Sequence, residues 1–205
     1  MAVIHGLDRR KGLDLILHTP GGDMAATESL IDYLHAMFKG DIIAIVPQMA
    51  MSAGTMIACS CKEIIMGKQS SIGPIDPQLN GIPAYGVIKE FADAVEDIKR
   101  NPHALAVWQL IIGKYHPSFL GECRKAIDLA NEIVLTRLKS VMFKGEPDAE
   151  ERAKKIVEAL NDHEKTKVHA RHIDIEKALS FGLKISRLEL DNELQDAVLT
   201  VHHCY

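Results

Sequence analysis

The sequence predicts an α/β fold with repeated βα units, a mostly parallel sheet and additional helices in its C-terminal half. Two short apolar runs, Leu13–Leu17 and Ile42–Val46, are typical of strands that are buried on both faces. Between them, Met24–Phe38 carries apolar residues at helical spacing. A strand, a helix and a second strand in this order make a βαβ unit, so we expect the two strands to be parallel.

Local signals place the remaining elements. Asp23 is a capping residue before the first long helix, and Gly40 ends that helix. Further strands are predicted over Lys62–Met66 and Leu183–Ile185. Further helices are predicted over Ala2–Leu7, Thr55–Cys61, Tyr85–Lys99, Leu105–Lys114, Ser118–Phe143, Ala149–Leu160, Ile173–Phe181 and Leu190–His203.

Length and composition indicate one globular domain spanning residues 1–205. The chain has 205 residues, 47% of them hydrophobic, which suffices for a sizeable core. Its net charge of −4 gives no electrostatic reason to expect nucleic acid or an anionic membrane as partner. The four cysteines do not form a disulfide framework, and no signal peptide or membrane span is recognisable. We therefore expect a cytoplasmic protein.

Two turns stand out because they follow the two predicted parallel strands. The first is the HTPGG sequence of residues 18–22, in which two glycines allow backbone N–H groups to point into a common space. The second leads to Ser52, at the N-terminus of a helix of small residues. Both turns lie at the carboxyl ends of adjacent strands, where open α/β sheets bind ligands. Ser52 is thus a candidate nucleophile, with the Gly21 and Ala53 N–H groups as candidate oxyanion donors.

The motifs PGGD, SAGT and GPIDPQ occur in this order in a chain that resembles the serine dehydrogenase proteinase family. That family is distantly related to the Clp protease proteolytic subunit and to signal peptide peptidases. The similarity runs from about Ile4 to the end of the chain. It implies the Clp/crotonase type of fold, with the nucleophile at a strand-to-helix turn, and a serine peptidase activity without a cofactor or metal.

The same resemblance implies a catalytic triad in the order Ser, Asp, His. In the Clp protease pattern a histidine follows the third strand and an aspartate comes late, whereas here the loop after that strand offers Asp76 and the late segment offers His169. The two residue types have exchanged places along the chain. A triad is defined by geometry and not by chain order, so His169 is the expected base and Asp76 its orienting partner.

Alternatives remain open at each of these positions. His172 and, less favourably, His116 are other candidate bases, and a Ser–Lys dyad with Lys89 is the competing mechanism. Ser52 is also compatible with a simple N-cap, and Asp76 with a turn residue before proline. His169 and His172, or the His202-His203-Cys204 run, lack a second well-spaced ligand pair for zinc, so no metal site is predicted.

The sequence therefore predicts a serine endopeptidase that hydrolyses peptides or proteins. An acyl-CoA hydratase or isomerase of the same fold, and an inactive scaffold, are alternative functions. Resemblance implies a homo-oligomer, for which the Ser118–Phe143 helix and the terminal helix are candidate contact surfaces. Substrate identity and any ATPase partner are left open. Relatives usually extend further at the N-terminus, so we expect a shortened form of the family.

Overall fold

The computed structural model describes residues 2–161 and 172–204, which divide into two compact units. The first unit comprises the described residues up to Ile75 and from Asn131 onward, and the second comprises Asp76–Ala130. The strands in chain order are β1 Leu13–Ile16, β2 Ile42–Val46, β3 Met49–Ala50, β4 Glu63–Met66, β5 Ser71–Ile72, β6 Gln78–Leu79, β7 Ile82–Pro83 and β8 Ile185–Arg187. The helices are α1 Ala2–His5, α2 Met24–Phe38, α3 Ala53–Cys59, α4 Ala84–Arg100, α5 Leu105–Ile112, α6 Phe119–Arg137, α7 Ala149–Leu160, α8 Ile175–Ser180 and α9 Asn192–His203.

A four-stranded parallel sheet forms the centre of the first unit. Its strand order is β1-β2-β4-β8, and each neighbouring pair is parallel. The register pairs Leu13 with Ile42 and Ile43 with Glu63. Strand β2 is the most deeply buried, as its continuous apolar sequence requires. The predicted mixed α/β fold with a mostly parallel sheet is confirmed.

Helix α2 connects β1 to β2 and is defined by the predicted signals. The Asp23 side chain accepts a hydrogen bond from the Ala26 N–H at 2.8 Å, which caps the first turn. Lys39, with φ of 55°, closes the last turn in the left-handed conformation. The inward face of the helix, residues Thr27, Ile31, Leu34 and Phe38, is buried. Capping and apolar spacing together position the turn that precedes α2.

A second, smaller sheet lies in the same unit and was not predicted. Strand β3 pairs in parallel with β5, Thr19 forms a parallel bridge with Ala50, and Ile72 forms an antiparallel bridge with Ile173. Two-residue strands carry too short a pattern to be recognised in sequence. Together with its two bridges, this sheet nevertheless joins four separate parts of the chain around the turn that contains Ser52.

The second unit contains a β-hairpin and a helical core. Strands β6 and β7 are joined by Asn80 and Gly81, which have φ values of 54° and 80° and suit a tight hairpin turn. The core is formed by side chains of α4 and α6, namely Ala84, Val87, Phe119, Cys123 and Ile127. Helices α4 and α6 therefore supply the buried apolar residues of this core.

Several predicted boundaries differ from the structure. The helix predicted over Ser118–Phe143 ends as an α-helix at Arg137 and continues as one π-helical segment, Leu138–Met142. The strand predicted over Leu183–Ile185 instead occupies Ile185–Arg187, because pairing with β4 fixes its register. None of the described helices has the length and apolar character needed to cross a bilayer.

Candidate active site

The turn after β1 is held by a threonine that the sequence reasoning did not single out. The Thr19 N–H donates to the Met49 carbonyl at 3.0 Å, and the Met51 N–H donates to the Thr19 carbonyl at 3.0 Å. The Thr19 hydroxyl donates to the Gly21 carbonyl at 3.0 Å and accepts from the Gly21 N–H at 3.1 Å. Thr19 therefore fixes the glycine turn and attaches it to the strand that leads to Ser52. Its signal in the sequence was its place directly before Pro-Gly-Gly.

Ser52 has a backbone conformation that L-amino acids rarely adopt. Its φ is 49° and its ψ is −106°, outside even the left-handed helical region. It lies at the N-terminus of α3, yet its side chain makes no capping hydrogen bond. The simple N-cap interpretation does not explain this residue. Backbone strain of this kind persists only where the surroundings impose it, and it concentrates at functional sites such as the strained serine turns of hydrolases.

Buried contacts beneath Ser52 impose that conformation. The Thr55 hydroxyl, which is fully buried, lies 2.8 Å from the Ala50 carbonyl and accepts a hydrogen bond from the Gly73 N–H at 2.9 Å. The Gly54 N–H donates to the Met51 carbonyl at 2.8 Å. A Cβ atom at Gly54 would lie only 2.5 Å from the Thr19 Cγ2. The absence of a side chain at Gly54 is what lets the two turns approach each other.

The structure brings the glycine turn and the serine turn together. A Cβ atom placed on Gly21 would lie 3.4 Å from the Ser52 Cβ and 4.0 Å from its Oγ, and one on Gly22 would lie 3.9 Å from the Ala53 Cβ. The positive φ of Gly21, 133°, suits glycine. Both glycines therefore leave open the space beside the half-buried Ser52 side chain.

The backbone donors around this space are not equivalent. The Gly21 N–H is engaged by the Thr19 hydroxyl within its own turn. In contrast, the N–H groups of Gly22 and Ala53 have no acceptor among the described residues. Ala53 is the first residue of α3, where unpaired N–H groups and the helix dipole favour negative charge. Its amide is thus oriented by the same helix that carries Ser52.

The three histidines that are candidate bases lie at positions 116, 169 and 172 of the chain. His169 lies outside the described residues. His172 is exposed, and its Nδ1 lies 2.6 Å from the Ser71 Oγ, next to the bridge between Ile72 and Ile173. This contact attaches His172 to β5, the neighbour of β3. In the second unit, His116 contacts the Pro117 carbonyl and the Phe119 ring.

Asp76 and Lys89 belong to the second unit and have contrasting environments. Asp76 is 2% exposed and is the only buried carboxylate among the described residues. It accepts a hydrogen bond from the Tyr85 N–H, near the N-terminus of α4, at 3.4 Å. Lys89 is exposed and forms a salt bridge with Asp93 at 2.7 Å. That is the environment of a surface ion pair and not of the desolvated lysine that a Ser–Lys dyad uses.

Cysteine chemistry is disfavoured near the serine turn. Cys59 and Cys61 are buried at the end of α3, and burial raises the pKa of each thiol to about 12. A thiol held in its neutral form is a poor nucleophile. Within residues 2–161 and 172–204, no group of three or more metal-ligating side chains is suitably clustered. The side chain that this site offers for nucleophilic chemistry is the Ser52 hydroxyl.

A strained serine at a strand-to-helix turn, facing a glycine turn on a parallel α/β sheet, is the arrangement typical of serine hydrolases. The comparison with known families specifies the class. A model of the ClpP-like, SDH-type serine proteinases matches residues 2–197. The chain belongs to this family of serine peptidases, which confirms the resemblance found in the sequence.

Two uncharacterized proteins of Methanocaldococcus jannaschii are similar to this chain. The first is 29% identical over 205 residues, covering 100% of this chain and 62% of the relative. The second is 29% identical over 174 residues, covering 85% of this chain and 52% of the relative. The chain thus spans little more than half the length of these relatives. No solved structure matches it.

Proposed function

We propose that this chain is a serine endopeptidase in which Ser52 is the nucleophile. The observation that carries the proposal is the conformation of Ser52, with φ of 49° and ψ of −106°. Its side chain is not used for capping, and it faces the glycine turn. A strained residue whose hydroxyl has no partner among the described residues, supported by buried hydrogen bonds, suits a nucleophile that must be presented to a substrate.

In the proposed mechanism, His169 removes the Ser52 proton as Oγ attacks the scissile carbonyl carbon. The new C–O bond forms while the carbonyl π electrons move to oxygen, giving a tetrahedral oxyanion. The imidazolium then protonates the leaving amine, the C–N bond breaks, and an acyl-enzyme remains. Water, deprotonated by the same histidine, hydrolyses this ester and releases the acid. Asp76 would orient the imidazole and stabilise its charged form.

The Ala53 N–H and the Gly21 N–H are the proposed oxyanion donors. Each such donor contributes about 3 kcal/mol to transition-state stabilisation. Ala53 is supported by its amide at the N-terminus of α3, which no described residue engages. Gly21 would have to exchange its hydrogen bond to Thr19 for one to the oxyanion. The glycine turn would therefore reorganise when substrate binds.

The substrate we propose is an extended peptide that lies beside the sheet and uses main-chain hydrogen bonds for affinity. Cys59, Cys61 and Cys123 are buried free thiols, which supports a reducing compartment such as the cytoplasm. We also propose a homo-oligomer, as in the Clp protease type, that restricts access to Ser52.

A fluorophosphonate probe tests the nucleophile. Wild-type protein should be labelled and should cleave an unstructured protein such as casein. The Ser52→Ala variant should lose labelling and at least about 10⁴-fold in kcat, because the attacking atom is absent. Ser140→Ala, which changes an exposed serine on the π-helical segment, is the matched control and should retain both. Labelling that persists in Ser52→Ala would refute the assignment.

A further inference from the structure

A small cavity in the first unit is lined by cationic side chains. Its volume is about 230 Å³, and Lys39, Arg137 and Lys144 line it together with the His35 ring and Gly40. The described lining contains no aspartate or glutamate. Three cations without a carboxylate around one concave space are the side chains that bind an oxyanion through charge-assisted hydrogen bonds.

The cavity lies where the ends of two helices meet. Lys39 and Gly40 follow the last turn of α2, and Lys144 follows the π-helical segment Leu138–Met142. A Cβ atom placed on Gly40 would lie 3.5 Å from the Val141 Cγ1, so the two helix ends are in close proximity. Insertion of a π-helical turn is rare in proteins and is frequent at functional sites.

Arg137 is held in place and still has donors to offer. Its side chain is 25% exposed and contacts Asp32 through Nη2. Its Nη1 lies 3.5 Å from the His35 Nδ1, at the limit of a hydrogen bond. The Nε2 of that ring lies 2.7 Å from the Ser60 carbonyl, which can only accept, so Nε2 carries the proton and Nδ1 of the neutral ring is an acceptor. A stronger acceptor in the cavity would therefore gain the Nη1 donors.

The two lining lysines are not neutralised by described acidic residues. Lys39 and Lys144 are exposed, and neither has an acidic partner in the described part of the chain. Arg137 shares its charge with Asp32. Acidic residues nearby in the sequence contact cations outside the lining, with Asp148 as the exception: Asp41 contacts Lys62, Glu146 contacts Arg152 and Lys184, Glu150 contacts Lys139 and Lys154, and Glu151 contacts Lys155.

The helix ends offset this positive charge only in part. The C-terminus of a helix carries about half a negative charge, so the ends of α2 and of the π-helical segment contribute about one between them. The two uncompensated lysines carry two full charges. A lysine at a helix C-terminus also stabilises the helix, but that role does not account for Arg137 on the same cavity. The cavity therefore keeps a positive potential.

We propose that this cavity binds a phosphate group, either as a free anion or as part of a small phosphorylated ligand. The Arg137 Nη1 would donate to a phosphate oxygen, and Lys39 and Lys144 would neutralise its charge. A volume of about 230 Å³ is several times the roughly 30 Å³ of one water and smaller than the 300 Å³ or more of sites that enclose a drug-sized molecule. It suits one or two phosphate groups. The proposal does not depend on the assignment of Ser52.

The protonation of His35 should respond to the bound anion. Burial lowers the pKa of His35 and the Arg137 charge lowers it further, while the Ser60 carbonyl and the Asp32 carboxylate oppose these effects. An anion beside Nδ1 would stabilise the imidazolium, so saturation with pyrophosphate should raise the pKa of His35. NMR titration of the ring protons measures it. An unchanged pKa of His35 in the saturated protein would place the anion elsewhere and overturn the proposal. The charged groups at this site are Asp32, Lys39, Arg137 and Lys144.

Isothermal titration calorimetry on the whole chain, at constant ionic strength, tests the class of ligand. Pyrophosphate should bind at one site more tightly than inorganic phosphate, and acetate should bind at least about tenfold more weakly than either. Glycerol phosphate that binds as well as inorganic phosphate would identify an esterified ligand, whereas binding of the inorganic anions alone would identify a free one. Absence of saturable pyrophosphate binding, or equal binding of acetate, would overturn the proposal.

Variants locate the site. Lys39→Gln/Lys144→Gln should weaken pyrophosphate binding at least about tenfold, because two uncompensated charges are removed. Arg137→Gln should weaken it to a similar extent, and Arg137→Lys should weaken it less, since the charge is kept and only the planar fork is lost. Lys125→Gln is the matched control, because Lys125 is an exposed lysine of the second unit, and it should bind like wild type.

A second control lies in the cavity itself. Ser140 lines the cavity, but its hydroxyl donates to the Thr136 carbonyl at 2.7 Å, so Ser140→Ala should bind pyrophosphate like wild type. If Lys39→Gln/Lys144→Gln, still folded by circular dichroism, bound pyrophosphate as tightly as wild type, the cavity would not be the site. An equal loss of affinity in Lys125→Gln would show an effect of net charge and would contradict the proposal as well.

Discussion

Helices α3 and α5 have similar lengths and apolar sequences but opposite environments. All seven residues of α3, AGTMIAC, are buried, whereas none of the eight residues of α5 is. The residues of α3 are mostly small, so the helix fits beside β2 and β3 and supports Ser52. Leu105, Val107 and Leu110 of α5 are instead 46%, 59% and 75% exposed. The apolar content of a helix thus indicates that its side chains are to be shielded from water. It does not indicate whether they pack against the protein's own core or against another surface.

The largest difference between the two helices should be seen in stability. Met56→Ala in α3 should lower the free energy of unfolding by about 2–4 kcal/mol, because Met56 is 3% exposed and its removal leaves a cavity. Leu110→Ala in α5 should change it by no more than about 0.5 kcal/mol. Urea denaturation monitored by circular dichroism measures both values. Equal losses of unfolding free energy would mean that Leu110 is packed in solution, and the two helices would then not differ in this respect.

A smaller effect is expected from adding a single methyl group to the serine turn. Gly54→Ala should cost about 1–3 kcal/mol, because its Cβ would lie 2.5 Å from the Thr19 Cγ2 and 3.1 Å from the Ala50 Cβ. Peptidase turnover should fall further than stability does, roughly 100-fold, since the two turns would be pushed apart. Thermal melts and casein cleavage measure the two effects.

Gly121→Ala is the control for Gly54→Ala. Gly121 lies within α6, and a Cβ there meets nothing within 4 Å. Alanine should therefore stabilise the protein by up to about 1 kcal/mol and leave turnover unchanged. If both substitutions behaved alike, the close approach of the two turns would not matter for activity.

The buried state of α3 also predicts a pH dependence. Burial raises the pKa of Cys59 from 9.0 to about 12, so the folded protein retains a thiol proton that the unfolded chain loses above pH 9. Between these two values, stability should fall as pH rises, by up to about 1.4 kcal/mol per pH unit for this thiol. Cys59→Ala should make the free energy of unfolding less dependent on pH, as measured by denaturation curves at several alkaline pH values. An unchanged pH dependence would contradict the assignment of the effect to the buried Cys59 thiol.

Thiol accessibility gives the smallest and simplest readout. Cys204 is exposed, whereas Cys59, Cys61 and Cys123 are buried. In native protein, a disulfide reagent such as DTNB should react rapidly with Cys204, and Cys204→Ser should abolish the rapid phase. The buried thiols should react only on unfolding. Rapid modification of native Cys204→Ser would mean that the buried thiols of α3 and α6 are accessible.

The sequence was sufficient to predict an element where its local pattern and the tertiary structure agree. The strand Ile42–Val46 and the helices Met24–Phe38 and Ala149–Leu160 were predicted with their observed bounds, because strong periodicity or a capping residue defines them. The pairing of Thr19 with Ala50 was not predictable, since it joins single residues that are distant in the chain. The conformation of Ser52 was also not predictable, because only buried contacts around Thr55 and Gly54 impose it.

The candidate site likewise has features that the sequence predicts and features that depend on tertiary contacts. Ser52 and the glycine turn could be identified because each follows a recognisable strand. The structural role of Thr19 and the engagement of the Gly21 N–H depend on side-chain contacts that no sequence pattern specifies. The roles of Asp76 and His169 stay predictions that rest on family resemblance, as do the homo-oligomer and the cytoplasmic location.

A crystal structure of the protein after reaction with a peptidyl phosphonate tests the central claim most directly. The account predicts a covalent bond from the Ser52 Oγ to phosphorus, with a phosphonyl oxygen about 3 Å from the Ala53 N–H and the imidazole of His169 within hydrogen-bond distance of Oγ. An adduct on another residue, or a modified Ser52 whose neighbouring imidazole belongs to His172 or to no histidine, would contradict it.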